Sequence, residues 1–198
     1  MDATRKNSFR LLRFLLKFHS GNQGELNMVL MQAVKAGFFE STKVMLDAGA
    51  DPNTEDAYDN TPLLLAAEMG NESLVQLLLT YGAKVHVIAG GRGTPLHHAA
   101  KWGYYSSMDL LLKHGAAVNA QDGMWRTPLM LAARYAKNPQ HIICSLLEAG
   151  AQVNIIGCEH RTALHYAAAR VINLQVHVQY IHITDNTLLF GTDICPVF

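Results

Sequence analysis

From Met28 onward the apolar and polar positions follow an order that recurs along the chain. The clearest unit opens at Thr61-Pro62-Leu63-Leu64 and continues through Ala66-Ala67, Gly70, Leu77-Leu78-Leu79 and Gly82-Ala83. The next opens at Thr94-Pro95-Leu96-His97, with Ala99-Ala100, Gly103, Leu110-Leu111-Leu112 and Gly115-Ala116. A third opens at Thr127-Pro128-Leu129-Met130, with Ala132-Ala133, Leu146-Leu147 and Gly150-Ala151, and a fourth begins at Thr162-Ala163-Leu164-His165. Upstream, a weaker copy runs from Met28 through Ala33, Gly37, Val44-Met45-Leu46 and Gly49-Ala50-Asp51 to Asn53. Gly49, Gly82 and Gly115 are 33 residues apart, and Gly150 follows after 35. A fixed period of this length predicts supersecondary units that stack, because one unit cannot bury its own apolar face.

Each recurring residue has a local reason. Thr before Pro predicts a helix start, with the hydroxyl capping free N–H groups and Pro at the first helical position. The Ala-Ala pair lets neighbouring helices approach, and the Leu run on the second helix fills the space between units. The glycine after that run supplies the left-handed residue that ends the helix. Each unit thus reads as helix, turn, helix and a projecting polar hairpin.

These residues resemble the ankyrin repeat, whose motif is Thr-Pro-Leu-His followed by two alanines. The likeness covers residues 26 to about 170, with repeats near 26–55, 56–88, 89–121 and 122–156 and a partial one over 157–170. It implies an all-α solenoid of stacked helix-turn-helix units, L-shaped, with hairpins projecting toward the concave side. It also implies protein–protein binding, no cofactor and no catalysis. His97 and His165 hold the motif position, where the imidazole resembles a hydrogen-bonding clip between repeats.

The departures carry their own expectations. The two extra residues before Gly150 fall near Lys137-Asn138-Pro139, and Ala136 replaces the glycine of Gly70 and Gly103, so the inter-helix turn there should be longer and locally different. Residues 1–25 contain Phe9 to Phe18, a basic amphipathic stretch whose cations interrupt any signal peptide; it reads as a cap on the first repeat, with a membrane-surface helix as the alternative. After Ala168 the register is lost. Apolar and polar residues alternate from Leu174, which is strand-like, and residues 171–198 read as a divergent tail left by an alternative or misjoined exon.

Composition narrows the field without naming a ligand. The 198 residues are 49% hydrophobic, enough for a core, and 16 basic residues balance 16 acidic ones. That balance gives no general drive toward nucleic acid or an anionic membrane. No stretch reaches the roughly 20 apolar residues of a transmembrane helix. Three scattered cysteines fit a reducing compartment, which predicts a cytoplasmic protein with the nucleus as a second location.

Binding chemistry is expected at positions that packing does not demand: the hairpin tips and the two positions after each Ala-Ala pair. The tips give Tyr58 and Asn60, Arg92, then Met124, Trp125 and Arg126, then Glu159 and Arg161. The post-alanine positions give Glu68 and Met69, Lys101 and Trp102, Arg134 and Tyr135. Trp, Tyr and Arg are the residue types enriched at binding hot spots. The competing reading is that the aromatics shield the hairpins from within; we expect an exposed aromatic and basic groove. Its cations outnumber Glu68 and Glu159, so the expected partner segment is acidic and apolar.

Ten histidines raise the question of metal or catalysis. Cys158, His160 and His165 form the most tempting cluster, but their spacing matches no standard zinc pattern. No phosphate loop, nucleophile elbow or dinucleotide fingerprint is present, and Gly90-Gly91-Arg92-Gly93 falls on a hairpin tip. The expected function is therefore a non-catalytic adaptor, in a longer form a substrate-recognition subunit of a ubiquitin ligase. The alternative is a regulatory protein that sequesters a signalling or transcription factor. The oligomeric state is not legible.

Overall fold

The computed structural model describes residues 22–171. The basic stretch from Phe9 to Phe18 and the strand-like tail expected from Leu174 fall outside the described residues. Eight α-helices come in pairs: α1 (Gln23–Lys35) with α2 (Phe39–Asp47), α3 (Pro62–Glu68) with α4 (Glu72–Thr80), α5 (Pro95–Trp102) with α6 (Tyr105–Lys113), and α7 (Pro128–Tyr135) with α8 (Pro139–Glu148). A short 3-10 turn, Cys158–His160, precedes further helix over residues 163–171. Helix α1 starts at Gln23, three residues before the expected repeat boundary, because Asn22 accepts a hydrogen bond from the N–H of Gly24 and caps it there.

The helices form two rows. First helices pack on first helices (α1, α3, α5, α7) and second on second (α2, α4, α6, α8), the first row more closely. The Ala-Ala pairs make that closeness possible: Ala66, Ala67, Ala99, Ala100 and Ala132 are fully buried. One continuous core runs between the rows and includes Leu63, Leu74, Leu78, Leu96, Met108, Leu111, Leu129 and Leu146. Among the described residues all regular structure is helical, as the all-α reading expected.

The four periodic glycines take φ of +92° at Gly49, +81° at Gly82, +83° at Gly115 and +90° at Gly150. A Cβ at any of them would meet no atom within 4 Å. Space is therefore not the constraint; the left-handed backbone that ends each second helix is. The asparagines of the pattern have a structural task as well. Asn53 donates to the carbonyl of Gly82 at 3.3 Å and accepts from the N–H of Lys84 at 2.8 Å, stapling one loop to the next. Asn119 does the same with Gly150 (3.1 Å) and Gln152 (2.8 Å).

The two extra residues of the fourth unit divide between two places. Counted from the capping threonine, α8 starts 12 residues after Thr127, where α4 and α6 start 11 after Thr61 and Thr94, and α8 has ten residues where α4 and α6 have nine. Ala136 closes α7 with φ −59° and ψ 133°, whereas Gly103 closes α5 in the left-handed region. The second helix thus starts one residue later and the turn is differently shaped, though with three residues it is no longer than those of the first two pairs.

At the C-terminal end the last unit lacks a completed second helix among the described residues. Leu164 is 76% exposed there, while Leu63 and Leu96 at the same motif position are fully buried and Leu129 is 3% exposed.

Candidate protein-binding face

Two side-chain populations face outward from the first-helix row and its hairpins. Trp102 and Tyr135 end α5 and α7 at the same phase, and both are exposed. The ammonium of Lys101 lies 4.9 Å from the ring centre of Trp102 and 5.6 Å from that of Tyr135. One repeat further, the guanidinium of Arg134 lies 5.2 Å from the Tyr135 ring and 5.6 Å from the Tyr166 ring. Aromatic and cation therefore alternate across three repeats, each cation held over π faces. Tyr166 was not among the expected site residues. Its place in the column of Leu65, His98 and Leu131, one residue before the alanines, is the signal that could have found it.

The hairpins divide into pinned and free residues. Asp122 is fully buried in its side chain and accepts from the N–H groups of Met124 and Arg126, each at 2.9 Å. It also binds the Arg126 side chain, at 2.8 Å to Nε and 2.7 Å to Nη2. Asp56 plays the same part in the hairpin that opens the second repeat, taking the N–H of Tyr58 (2.9 Å) and of Asn60 (3.0 Å), the Asn60 amide (3.1 Å) and the Lys35 ammonium (2.9 Å). Burial opposes its ionisation, but the bonds from Lys35, Asn60 and the two backbone N–H groups outweigh that and hold its carboxyl well below the usual carboxylate range.

These clasps bear on two of the expected site residues. Asn60 is buried with its amide turned onto Asp56, so it shapes the hairpin. Arg126 is only partly exposed and its charge is spent on Asp122, so it is not a free groove cation. Arg161 is likewise paired, with Glu159 at 2.9 Å, though both remain exposed. The expected sites at Tyr58, Met69, Arg92, Met124 and Trp125 are exposed, and Glu68 is half-buried. Trp125 holds a left-handed φ of +58°, uncommon for a bulky residue, with its carbonyl accepting from Gln121 at 2.9 Å. Neighbouring tips are laced together: the N–H of Gly123 donates to the carbonyl of Gly91 at 2.8 Å, and the N–H of Cys158 to that of Met124 at 3.2 Å.

The two α5 histidines differ. His97 accepts from the N–H of Thr94 at 3.0 Å through Nδ1, so Nε2 donates to the Arg126 carbonyl at 2.9 Å, clipping α5 to the next hairpin. His165 takes the equivalent bond from Thr162 at 3.2 Å. His98 is buried, yet neither ring nitrogen has a hydrogen-bond partner. Burial holds both imidazoles below their ordinary value; for His98 it does so against the pull of Glu68 and with help from Arg92, Lys101 and His97, bringing it to about 4. Both rings are thus neutral in the fold at neutral pH, and unfolding lets them take protons. Stability is expected to be full above the unfolded value of about 6.5 and to fall as pH drops toward 4. Urea melts at neutral and mildly acidic pH check this. His98→Leu, which restores the residue type of Leu65 and Leu131, should show a shallower pH dependence, and an unchanged slope would refute the assignment.

Similarity to known proteins agrees with this architecture. A family model described as ankyrin repeats, in three copies, matches residues 1–89, 30–122 and 85–157. Ankyrin repeat domain-containing protein 46 of Rattus norvegicus is 40% identical over 57 residues, which is 29% of this chain and 25% of that protein. The protein of the same name from Mus musculus matches to the same extent. The chain spans about a quarter of the length of these curated relatives. Ankyrin repeats are protein–protein interaction modules and are typically non-enzymatic. With paired helices in two rows, a left-handed glycine closing each unit and a family match over most of its length, the chain belongs to the ankyrin-repeat family.

Proposed function

We propose that the face built by α3, α5 and α7 and their hairpin tips captures a protein partner, with no catalysis by the chain itself. The alternation of Trp102, Lys101, Tyr135 and Arg134 carries this reading. Packing of the repeats does not require large exposed rings at these ends, and rings already ordered by a neighbouring cation lose little freedom on binding. Aromatic and arginine side chains are also the types that dominate interface energetics. Met69, Met124 and Trp125 extend the apolar part of the surface. The reading takes a reducing compartment, the cytoplasm or the nucleus, as its setting.

The test is an affinity pull-down from cell extract with the wild-type chain and with a Trp102→Ala, Tyr135→Ala variant of equal thermal stability. Loss of a hot-spot aromatic costs about 2 kcal/mol or more, so a specific band should fall at least tenfold. Survival of every band would sink the proposal. The company of the captured protein separates the two versions of the function. Ligase scaffold subunits would mark an adaptor that recognises substrates, and a lone regulated factor would mark sequestration.

A further inference from the structure

We propose that the cleft over the third repeat receives an aspartate or glutamate side chain of the partner, held by Arg92, Lys101 and His98. This rests on the reading that the first-helix face binds a protein, and it assigns the chemistry of the recognised segment. The cleft has a volume of about 230 Å³ and is bordered by Glu68, Arg92, His98, Lys101, Arg126 and Tyr135.

The first observation is His98 itself. Its column along the repeats is otherwise Leu65, Leu131 and Tyr166, so packing did not call for an imidazole. The residue is 6% exposed and neither ring nitrogen finds a hydrogen-bond partner among the described residues. Glu68 Oε1 lies 3.6 Å from Nδ1, beyond hydrogen-bond distance. A buried polar group left without a partner is costly, and a ligand that supplies the partner offsets that cost.

The second observation is the charge around it. In the hairpins built around Asp56 and Asp122, a buried or half-buried carboxylate neutralises the local cation. Ala89 stands at that position in the third hairpin, so the guanidinium of Arg92 has no internal carboxylate among the described residues. Lys101 is held over the Trp102 and Tyr135 rings and has no acidic partner there either. Arg126 contributes no net charge because Asp122 is bound to it. Two uncommitted cations thus face one carboxylate, Glu68, and an incoming anion satisfies the imbalance.

The third observation separates a peptide acid from a free anion. Tyr135 borders the cleft, and Lys101, also on its border, lies over the Trp102 ring, so an aromatic surface next to the acid site offers apolar contact to the residues flanking the acid. A small inorganic anion would leave that surface unused.

Occupancy also changes the ionisation of His98. The groups that face it are Glu68 from α3, Arg92 from the third hairpin, and His97 and Lys101 from α5. A second carboxylate opposes the cations and shifts the ring upward from its free value. Binding therefore takes up protons, and tightens as pH falls through the range between the free and bound values of the ring.

A phage-displayed library of random dodecapeptides panned on the full chain tests the assignment. Wild type should enrich peptides with one fixed Asp or Glu beside apolar residues. Replacing that acid by its amide should weaken binding at least about tenfold, as expected for losing a charge-assisted bond. Arg92→Gln and His98→Leu should each erase the preference for acid over amide while keeping a wild-type helical spectrum, and the His98 ring should titrate higher in the complex. Enriched peptides without a fixed acid, an acid preference that survives both variants, or no enrichment at all would overturn the proposal. Peptides lacking a fixed acid that nonetheless lose binding with Trp102→Ala, Tyr135→Ala would overturn the carboxylate site and leave the partner-binding face standing. Acid-selecting peptides indifferent to that double variant would instead count against the aromatic face.

Discussion

Replacing Asp122 with alanine is expected to lower the stability of the array by about 3 kcal/mol, a large share of the 5–15 kcal/mol typical of a domain. The carboxylate has no solvent exposure and organises the whole hairpin tip: two backbone N–H groups at 2.9 Å and the Arg126 guanidinium at 2.8 and 2.7 Å all point at it. Alanine leaves those donors without an acceptor in a space water enters poorly. Loss of a partner from a half-shielded ion pair costs more than the pair itself contributes. The damage spreads, because the same tip is bonded to Gly91 on one side and to Cys158 on the other, and the Arg126 carbonyl receives His97. Asp122→Asn keeps an acceptor oxygen and should lose distinctly less. Urea unfolding at neutral pH measures both; a loss below about 0.5 kcal/mol for Asp122→Ala would show that the clasp is a bystander.

The second large effect is expected at Leu96. Truncation to alanine removes a fully buried side chain from the middle of the core, where α5 packs on α3 and α7, and should cost about 3–4 kcal/mol. A stacked array has nearest-neighbour contacts only, so weakening its central unit uncouples the ends. The urea transition should therefore broaden, with a smaller slope, as the two sides begin to unfold separately. Leu164→Ala is the control. It changes the same motif residue in the last unit, where the side chain is 76% exposed, and should shift stability by less than about 0.5 kcal/mol. Equal losses at the two positions would contradict this account of where the core ends.

The parts of the fold that were legible in the sequence are those governed by local chemistry. A left-handed residue after a helix selects glycine whatever surrounds it, and Gly49, Gly82, Gly115 and Gly150 all take that conformation. Thr61 and Thr127 cap their helices through the hydroxyl, accepting from the N–H of Leu64 at 3.3 Å and Met130 at 3.4 Å. The candidate face was half legible. Trp102 and Tyr135 share a phase, which the period alone reveals, and their exposure follows from lying past the buried alanines. The inward bonding of Asn60 and Arg126 was not legible from tip position alone. Their side chains turn inward onto Asp56 and Asp122, and the recurrence of an acid four residues before each was the overlooked signal.

His98 was legible only as a residue that broke an apolar column. Whether such a histidine finds a partner depends on atoms brought from α3, the third hairpin and α7, and no spacing along the chain encodes those distances. The sequence by itself determined the repeat, its register and the residue types offered to a partner, because each follows from backbone geometry within a few residues. The tertiary structure alone decided which charges are spent inside the protein and which remain for a ligand. Ion pairing depends on three-dimensional separation and burial, and in a stacked array both are set by the neighbouring repeat.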